Sequence, residues 1–214
     1  MTIARRAVYI VSALREAYPE ASCTLNYRKD YELLFSVRLS AQCTDARVNV
    51  VAETLFQDYP TLESFAAADL AALEETVRPC GFYRMKARDI VLAARMLIDE
   101  FGGSVPDSME ALLRLPGVGR KTANLIRGDL FGQGGIVADT HCIRIANRLG
   151  LCKTTDPHKV ELALGALIPV GSQTAFCHAL VFHGRQVCKA RRPECQACCL
   201  SLWCGADKKV VRVY

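Results

Sequence analysis

The sequence predicts an all-α fold, and three observations lead to that prediction. Apolar residues recur at helical spacing along most of the chain, as in Ala7, Ile10 and Leu14. Glycine and proline separate these segments at positions where helices start and stop. No segment shows the alternation of apolar and polar residues that is typical of a half-buried strand. We therefore expect short helices joined by tight turns.

Local signals give the bounds of these helices. Thr44 or Asp45 can cap the helix that follows an apolar segment, and Gly102 ends the longest helix. The first helix is expected to bury a face formed by Ile3, Ala7, Ile10, Leu14 and Tyr18, and the longest helix a face formed by Met85, Ile90, Ala93, Ala94, Leu97 and Phe101. The expected segments are 3–18, 30–40, 45–56, 62–67, 69–77, 84–101, 107–115, 120–130, 140–149, 157–168 and 172–186.

Composition and charge indicate a globular protein that could bind a polyanion. The 214 residues suffice for one large or two small domains, and 51% of them are hydrophobic. The formal net charge of the chain is +5. The segment from His183 onward carries seven basic and two acidic residues, so its own net charge of +5 equals that of the whole chain. We expect this segment, including Lys208, Lys209 and Arg212, to form a basic footprint, which is the positively charged surface that would contact a polyanion.

Eleven cysteines indicate reduced thiols and not a disulfide framework. Their number is odd, and the apolar run near the start ends at Arg15 without a cleavage site for export. No apolar run approaches the length of a membrane span. We therefore expect a cytoplasmic protein that binds no membrane.

The most informative stretch is LPGVGRKTAN at 115–124, between two helical segments. Asp107-Ser108-Met109-Glu110 has the form of a capping box that starts the first helix. Gly117 and Gly119 permit backbone angles that side chains forbid, so a tight hairpin is expected before the second helix. Such a hairpin directs backbone N–H groups and a helix N-terminus at an anion, for which a DNA phosphate is the obvious candidate.

This stretch has two other interpretations. A nucleotide-binding P-loop needs glycine directly before the lysine, and Arg120 occupies that position, so this interpretation is rejected. A surface turn with a solvated pair, Arg120 and Lys121, is the simpler alternative. The length and composition of the stretch favour a helix-hairpin-helix that grips a nucleic-acid backbone.

Four cysteines near the end of the sequence form what we call the cysteine box. Its spacing is C-x6-C-x2-C-x5-C, and zinc and a [4Fe–4S] cluster are the two candidate occupants. The unequal spacings favour the cluster, because zinc sites more often pair two C-x2-C units. The intervening residues are polar and basic, so metal ligation would replace a core in this loop. The members of the box are Cys188, Cys195, Cys198 and Cys204.

Together these residues resemble the endonuclease III family of helix-hairpin-helix DNA glycosylase/AP lyases. The motifs that carry the resemblance are LSAQCTD at 39–45, LPGVGRKTAN at 115–124, VADTH at 137–141, HGR at 183–185 and the cysteine box. The resemblance implies a six-helix domain at 23–133, with the helix-hairpin-helix at about 107–131. It also implies a discontinuous helical domain at 1–22 and 134–214 that holds a [4Fe–4S] cluster in the loop 188–204.

The resemblance also implies a function and a catalytic pair. Lys121 would attack C1′ of an extruded nucleotide, expel an oxidised pyrimidine, form a Schiff base and cleave the strand by β-elimination. Asp139 would stabilise positive charge on the sugar and assist proton transfer, although a plain helix N-cap is the simpler role for it. The partner would be double-stranded DNA with damaged bases or abasic sites, bound by a monomer.

Further residues are expected to contact DNA. Gln42 matches the family residue that enters the duplex, and Phe82 lies where the family places an apolar wedge, often leucine. The remaining expected DNA contacts are Gly117, Val118, Gly119, Arg120, His141, Arg185, Lys189, Arg191 and Arg192.

Three alternatives stay open at this stage. A monofunctional mismatch glycosylase of the same superfamily typically lacks the lysine and carries glutamate at the position of Val37. A non-catalytic helix-hairpin-helix DNA-binding module would need neither Lys121 nor Asp139. A zinc-stabilised RNA-binding protein is third, and no aromatic-rich strand motif supports it.

Overall fold

A computed structural model describes residues 1–205, and this part of the chain is helical without any strand. The prediction of an all-α fold is therefore confirmed. Within the described residues, no helix combines the length and the apolar composition that a bilayer span requires. Lys208, Lys209 and Arg212, part of the expected basic footprint, lie outside the described range. The helices are α1 (Ile3–Ala17), α2 (Asp30–Leu39), α3 (Asp45–Asp58), α4 (Leu62–Ala66), α5 (Leu70–Val77), α6 (Tyr83–Phe101), α7 (Met109–Arg114), α8 (Arg120–Phe131), α9 (Thr140–Arg148), α10 (Pro157–Gly165) and α11 (Val170–Gln186).

The chain divides into two compact units. One is continuous, Cys23–Phe131, and contains α2 to α8. The other joins Met1–Ser22 to the chain from Gly132 onward and contains α1 and α9 to α11. Each unit has its own cluster of buried apolar side chains.

Helix α2 is the centre of the continuous unit. It packs against α3, α6 and α8, and most of its residues are buried, including Phe35 at 1% exposure. The Phe35 ring meets the Phe65 ring edge to face, with centroids 4.9 Å apart. The mostly apolar run of α2 from Leu33 to Leu39 is buried on nearly every side, which requires neighbours on several faces and explains the place of this helix at the centre.

The second unit is organised around α11, which packs against α1 and α9. Ala7, Ile10 and Leu14 of α1 are buried as expected. Ile3 is an exception, because it is 42% exposed at the first position of the helix. The helical period places Ile3 on the inner face, but no neighbouring element lies close enough to the first turn of α1 to bury this side chain.

Helix α6 also differs from the expectation at its N-terminal end. Met85 is 57% exposed, whereas Lys86 is completely buried. The buried positions Lys86, Ile90, Ala93 and Leu97 fall on one helical face, so the helical phase places residue 86 inside and residue 85 outside. The expectation of an inward Met85 was wrong because it gave side-chain polarity more weight than this phase.

Candidate active site and nucleic-acid interface

The predicted hairpin lies between α7 and α8. Ser108 caps α7 by accepting a hydrogen bond at Oγ from the Ala111 N–H over 3.1 Å, so the capping residue is Ser108 and not Asp107. Leu115 O accepts a hydrogen bond from the Val118 N–H over 3.1 Å and closes the turn. The Val118 amide is therefore used inside the hairpin, and its side chain packs against the core of the unit.

The two glycines of the hairpin have different roles. Gly117 has a φ of 74°, and a Cβ on it would lie 2.5 Å from Arg38 Nε and 2.7 Å from Asp89 Oδ2. Gly119 does not have a positive φ, and a Cβ there would meet nothing within 4 Å. The expected need for glycine is thus correct for Gly117 and wrong for Gly119. At Gly119 the structure leaves open space, which would let another molecule approach the backbone closely.

Lys121 is the second residue of α8, directly after the hairpin, and its side chain is exposed. Ala123 and Ile126, on the opposite face of the helix, are completely buried and fix α8 in the core. The helix thus presents Lys121 and Arg120 at its N-terminal end, which carries a partial positive charge. An amine here is accessible to a reactant.

Asp139 is the N-cap of α9. Its Oδ1 accepts a hydrogen bond from the Cys142 N–H over 2.7 Å, and its Oδ2 lies 3.2 Å from His141 Nδ1. The side chain is 17% exposed. The structure therefore shows the N-cap role, and the contact with His141 orients the second carboxylate oxygen.

Gly184, in the HGR motif, supports this arrangement from α11. A Cβ at Gly184 would lie 2.5 Å from His141 Cδ2, so only glycine lets the imidazole occupy its place. The HGR motif is visible in the sequence, but the sequence gives no role for this glycine. Only the three-dimensional approach of α9 to α11 shows that role.

The residues expected to enter the duplex have strained backbones. Gln42 has a φ of 56° and Phe82 a φ of 47°, and both side chains are exposed, Phe82 by 61%. Within the described residues, the third non-glycine residue with positive φ is Arg192, at 52°. All three belong to the set that the sequence analysis expected to contact DNA. Such strain costs about 1–3 kcal/mol per residue and is concentrated at functional sites.

The cysteine box follows α11 in a series of tight turns. Arg148 of α9 donates hydrogen bonds to Cys188 Sγ over 3.2 Å and to the carbonyl of Lys189 over 2.9 Å. Burial, aided by the neighbouring thiols of Cys199, Cys188 and Cys204, raises the pKa of the Cys198 thiol to about 11. The sulfurs of Cys188, Cys198 and Cys204 therefore lie in one neighbourhood with that of Cys199, against the core of the second unit.

A buried histidine faces the same group of thiols. His183 Nδ1 lies 2.9 Å from the Tyr18 hydroxyl, and its Nε2 lies 3.4 Å from Cys198 Sγ. Burial lowers the pKa of the imidazole, so it carries one proton at neutral pH. The imidazole therefore has one N–H donor and one acceptor nitrogen for these two contacts, and its tautomer sets which of the two partners donates.

Comparison with known proteins gives this geometry a family. Residues 35–169 match the HhH-GPD superfamily of base excision DNA repair proteins. An endonuclease III from Synechocystis sp. is 45% identical over 201 residues, which cover 94% of this chain and 92% of the relative. Two solved structures each share 41% identity and a TM-score of 0.92, covering 99% of this chain and 100% of theirs. They are a non-covalent endonuclease III–DNA complex and a trapped endonuclease III–DNA covalent intermediate.

The chain belongs to the endonuclease III family. Enzymes of this family are DNA glycosylases with AP lyase activity that act in base excision repair, and this chain is one of them. The resemblance inferred from the motifs is confirmed.

Membership of the endonuclease III family implies an iron-sulfur cluster. The cysteine box is the candidate site, and its donor atoms can be compared with what such a cluster needs. Among residues 1–205, no three His, Cys, Asp or Glu side chains are already set as a metal site. The donor chemistry nevertheless fits, because four cysteines lie in one loop and Cys188, Cys198 and Cys204 share a half-buried neighbourhood. Cys199 lies beside them, and burial raises the pKa of its thiol as it does that of Cys198, so only the spacing of the box separates the two.

The basic residues around the box differ in availability. The Lys189 ammonium lies 2.6 Å from Glu194 Oε1, so part of its charge is offset within the loop. Arg191 and Arg192 are exposed, as is Arg185 in the last turn of α11. The exposed guanidinium groups of Arg191 and Arg192 can therefore face a polyanion.

Proposed function

We propose that this enzyme removes oxidised pyrimidines from duplex DNA and cleaves the strand through a Schiff base on Lys121. The observation that carries the proposal is the exposed amine directly after the hairpin. The 41% identity to a protein captured as a covalent intermediate with DNA supports it. The DNA would be double-stranded, and the enzyme would act as a monomer in the cytoplasm.

The chemistry assigns Lys121 the role of nucleophile. Its neutral Nζ attacks C1′, and the C1′–N bond breaks with its electron pair leaving on the base, which takes up a proton. The nitrogen then loses one proton, and its lone pair forms the C1′=N bond of the imine as the C1′–O4′ bond of the sugar ring breaks and O4′ takes up a proton. Removal of a proton from C2′ sends an electron pair toward the imine and expels the 3′ phosphate oxygen, which breaks the strand.

Asp139 would stabilise the positive charge that develops on the sugar in the first step. Its Oδ1 is held by the α9 N-terminus and its Oδ2 is oriented by His141, so the carboxylate is fixed before substrate arrives. Because the carboxylate is already oriented, the reaction spends no free energy on reorienting it.

The remaining residues would bind and deform the duplex. Gln42 and Phe82 would fill the gap left by the extruded nucleotide, which offsets the few kcal/mol of lost stacking. The hairpin and the exposed arginines would hold phosphates. Cys188, Cys195, Cys198 and Cys204 would hold a [4Fe–4S] cluster that stiffens the loop carrying Arg191 and Arg192.

Borohydride trapping on a duplex with one thymine glycol tests the proposal. Wild type should give a covalent protein–DNA band that Lys121→Ala abolishes, while Lys153→Ala, which removes another exposed lysine, should keep it. A folded wild type that releases the base and traps nothing would favour the monofunctional glycosylase. A wild type that binds the duplex and does neither would favour the binding module.

A further inference from the structure

Lys86 is buried completely, yet its ammonium group is fully hydrogen-bonded. Nζ donates to the carbonyls of Leu39, Ala41 and Cys80, each over 2.8 Å. An ammonium has three donors, so these three acceptors use its entire capacity. A charged side chain without exposure is rare unless its partners satisfy it in this way.

The three carbonyls belong to two separate turns. Leu39 and Ala41 flank the start of the turn at 40–43, which we call the Gln42 turn. Cys80 lies in the turn at 78–82, which we call the Phe82 turn. Ala41 directly precedes Gln42, and Cys80 stands two residues before Phe82. The ammonium therefore joins the backbones of the two turns that carry the positive-φ, exposed side chains.

Other contacts lie close to this link. Burial and the nearby Cys43 thiol, in the Gln42 turn, raise the pKa of the Cys80 thiol in the Phe82 turn. Arg47 of α3, four residues after the Gln42 turn, donates to the carbonyl of Pro79 in the Phe82 turn over 3.4 Å, at the longer end of the range for a hydrogen bond. Lys86 is the strongest of these links, since it makes three short bonds from one buried charge.

A buried ammonium at position 86 costs free energy that an apolar side chain would not. Burial lowers the pKa of Lys86, because an ammonium inside the protein loses its hydration. An unbranched apolar side chain of similar length would fill the same space without that penalty, as replacements of buried charges often show. It would, however, leave three carbonyls without this partner and the two turns without their common anchor.

We propose that Lys86 is a positioning residue for gap filling in DNA. Its ammonium holds the Gln42 turn and the Phe82 turn in one fixed arrangement, so that both side chains are presented together to a duplex that has lost a base from its stack. The proposal rests on the proposed function of Gln42 and Phe82, and it adds a residue that touches neither DNA nor the reacting atoms.

The test compares two substrates with the same chemistry. An abasic site in a duplex requires the gap to be filled, whereas an abasic site in a single-stranded oligonucleotide does not. Lys86→Met should lower the single-turnover lyase rate on the duplex by about tenfold or more and leave the single-strand rate within about twofold. The fluorescence of 2-aminopurine opposite the abasic site should also change less on binding than it does with wild type.

Two further variants complete the design. Leu97→Ala removes a completely buried side chain from the other end of α6, about 16 Å along the helix, and should not alter the ratio of the two rates. Lys86→Gln keeps two donors on a shorter side chain and should show an intermediate ratio. It also serves as the test variant if Lys86→Met does not fold.

The outcomes separate the two proposals. An equal loss on both substrates, or no loss on either, would overturn the positioning role of Lys86. A wild type that cleaves neither abasic substrate would instead remove the lyase function itself.

Discussion

Arg38 Nε donates a hydrogen bond to Asp89 Oδ2 over 2.7 Å, and this pair lies directly against Gly117 of the hairpin. Arg38 is the charged residue near the C-terminal end of α2, and its partner Asp89 lies on α6. The pair occupies the space that a side chain at position 117 would need. The hairpin thus packs at Gly117 against a mostly buried ion pair.

Gly117→Ala should therefore destabilise the protein and weaken DNA binding. The Cβ would collide with both members of the ion pair, and alanine would be held at a positive φ, at a cost of about 1–3 kcal/mol. Gly119→Ala is the matched control, because it meets nothing within 4 Å and has no positive φ. Urea unfolding should separate the two variants, and equal free energies of unfolding would contradict this account of Gly117.

Asp139→Asn should separate the capping role of this residue from its chemical role. Asparagine is as good an N-cap as aspartate, so the free energy of unfolding should change by less than about 0.5 kcal/mol. The single-turnover rate of base release should fall by about a hundredfold or more, because the charge that stabilises the sugar is lost. Asp139→Ala should show the same loss of rate, and its free energy of unfolding should also fall by about 1 kcal/mol because the N-cap is removed. If Asp139→Asn kept the wild-type rate, Asp139 would be a cap only.

Cys198→Ser should remove iron from the purified protein, and Cys199→Ser should not. Both thiols lie in the same half-buried region, but only Cys198 fits the spacing of the box. Wild type should contain about four iron and four sulfide per chain and be brown. One zinc per chain in a colourless protein would rule out the cluster, and loss of iron from both variants would show that the spacing does not select the ligand.

Stability should fall as the pH rises from about 9 to 11, and Cys23 should contribute to this fall. Burial raises the pKa of the Cys23 thiol from its ordinary value of 9.0 to about 11. In this interval the unfolded chain releases a proton that the folded chain retains, so the stabilisation present below pH 9 is lost. Urea unfolding under reducing conditions should show a shallower pH dependence for Cys23→Ala. Identical slopes for the variant and wild type would contradict the raised pKa.

Most of the site could be predicted because its signals are local. The hairpin glycine, the lysine after it and the cap at Asp139 depend on residues close in sequence, and the structure places each in the expected element. Lys86 could not be predicted, since its three partners lie on turns 6 to 47 residues away. Gly184 was missed for the same reason, because its tight contact is with His141 on another helix.

Arg148 joins the two ends of the loop that carries the cysteine box. Its guanidinium binds the first end at Cys188 and Lys189, and its carbonyl accepts hydrogen bonds from the last end, at Cys204 and Gly205. The geometry of the box therefore depends on where α9 ends, because both ends of the loop are bound to the last residue of that helix.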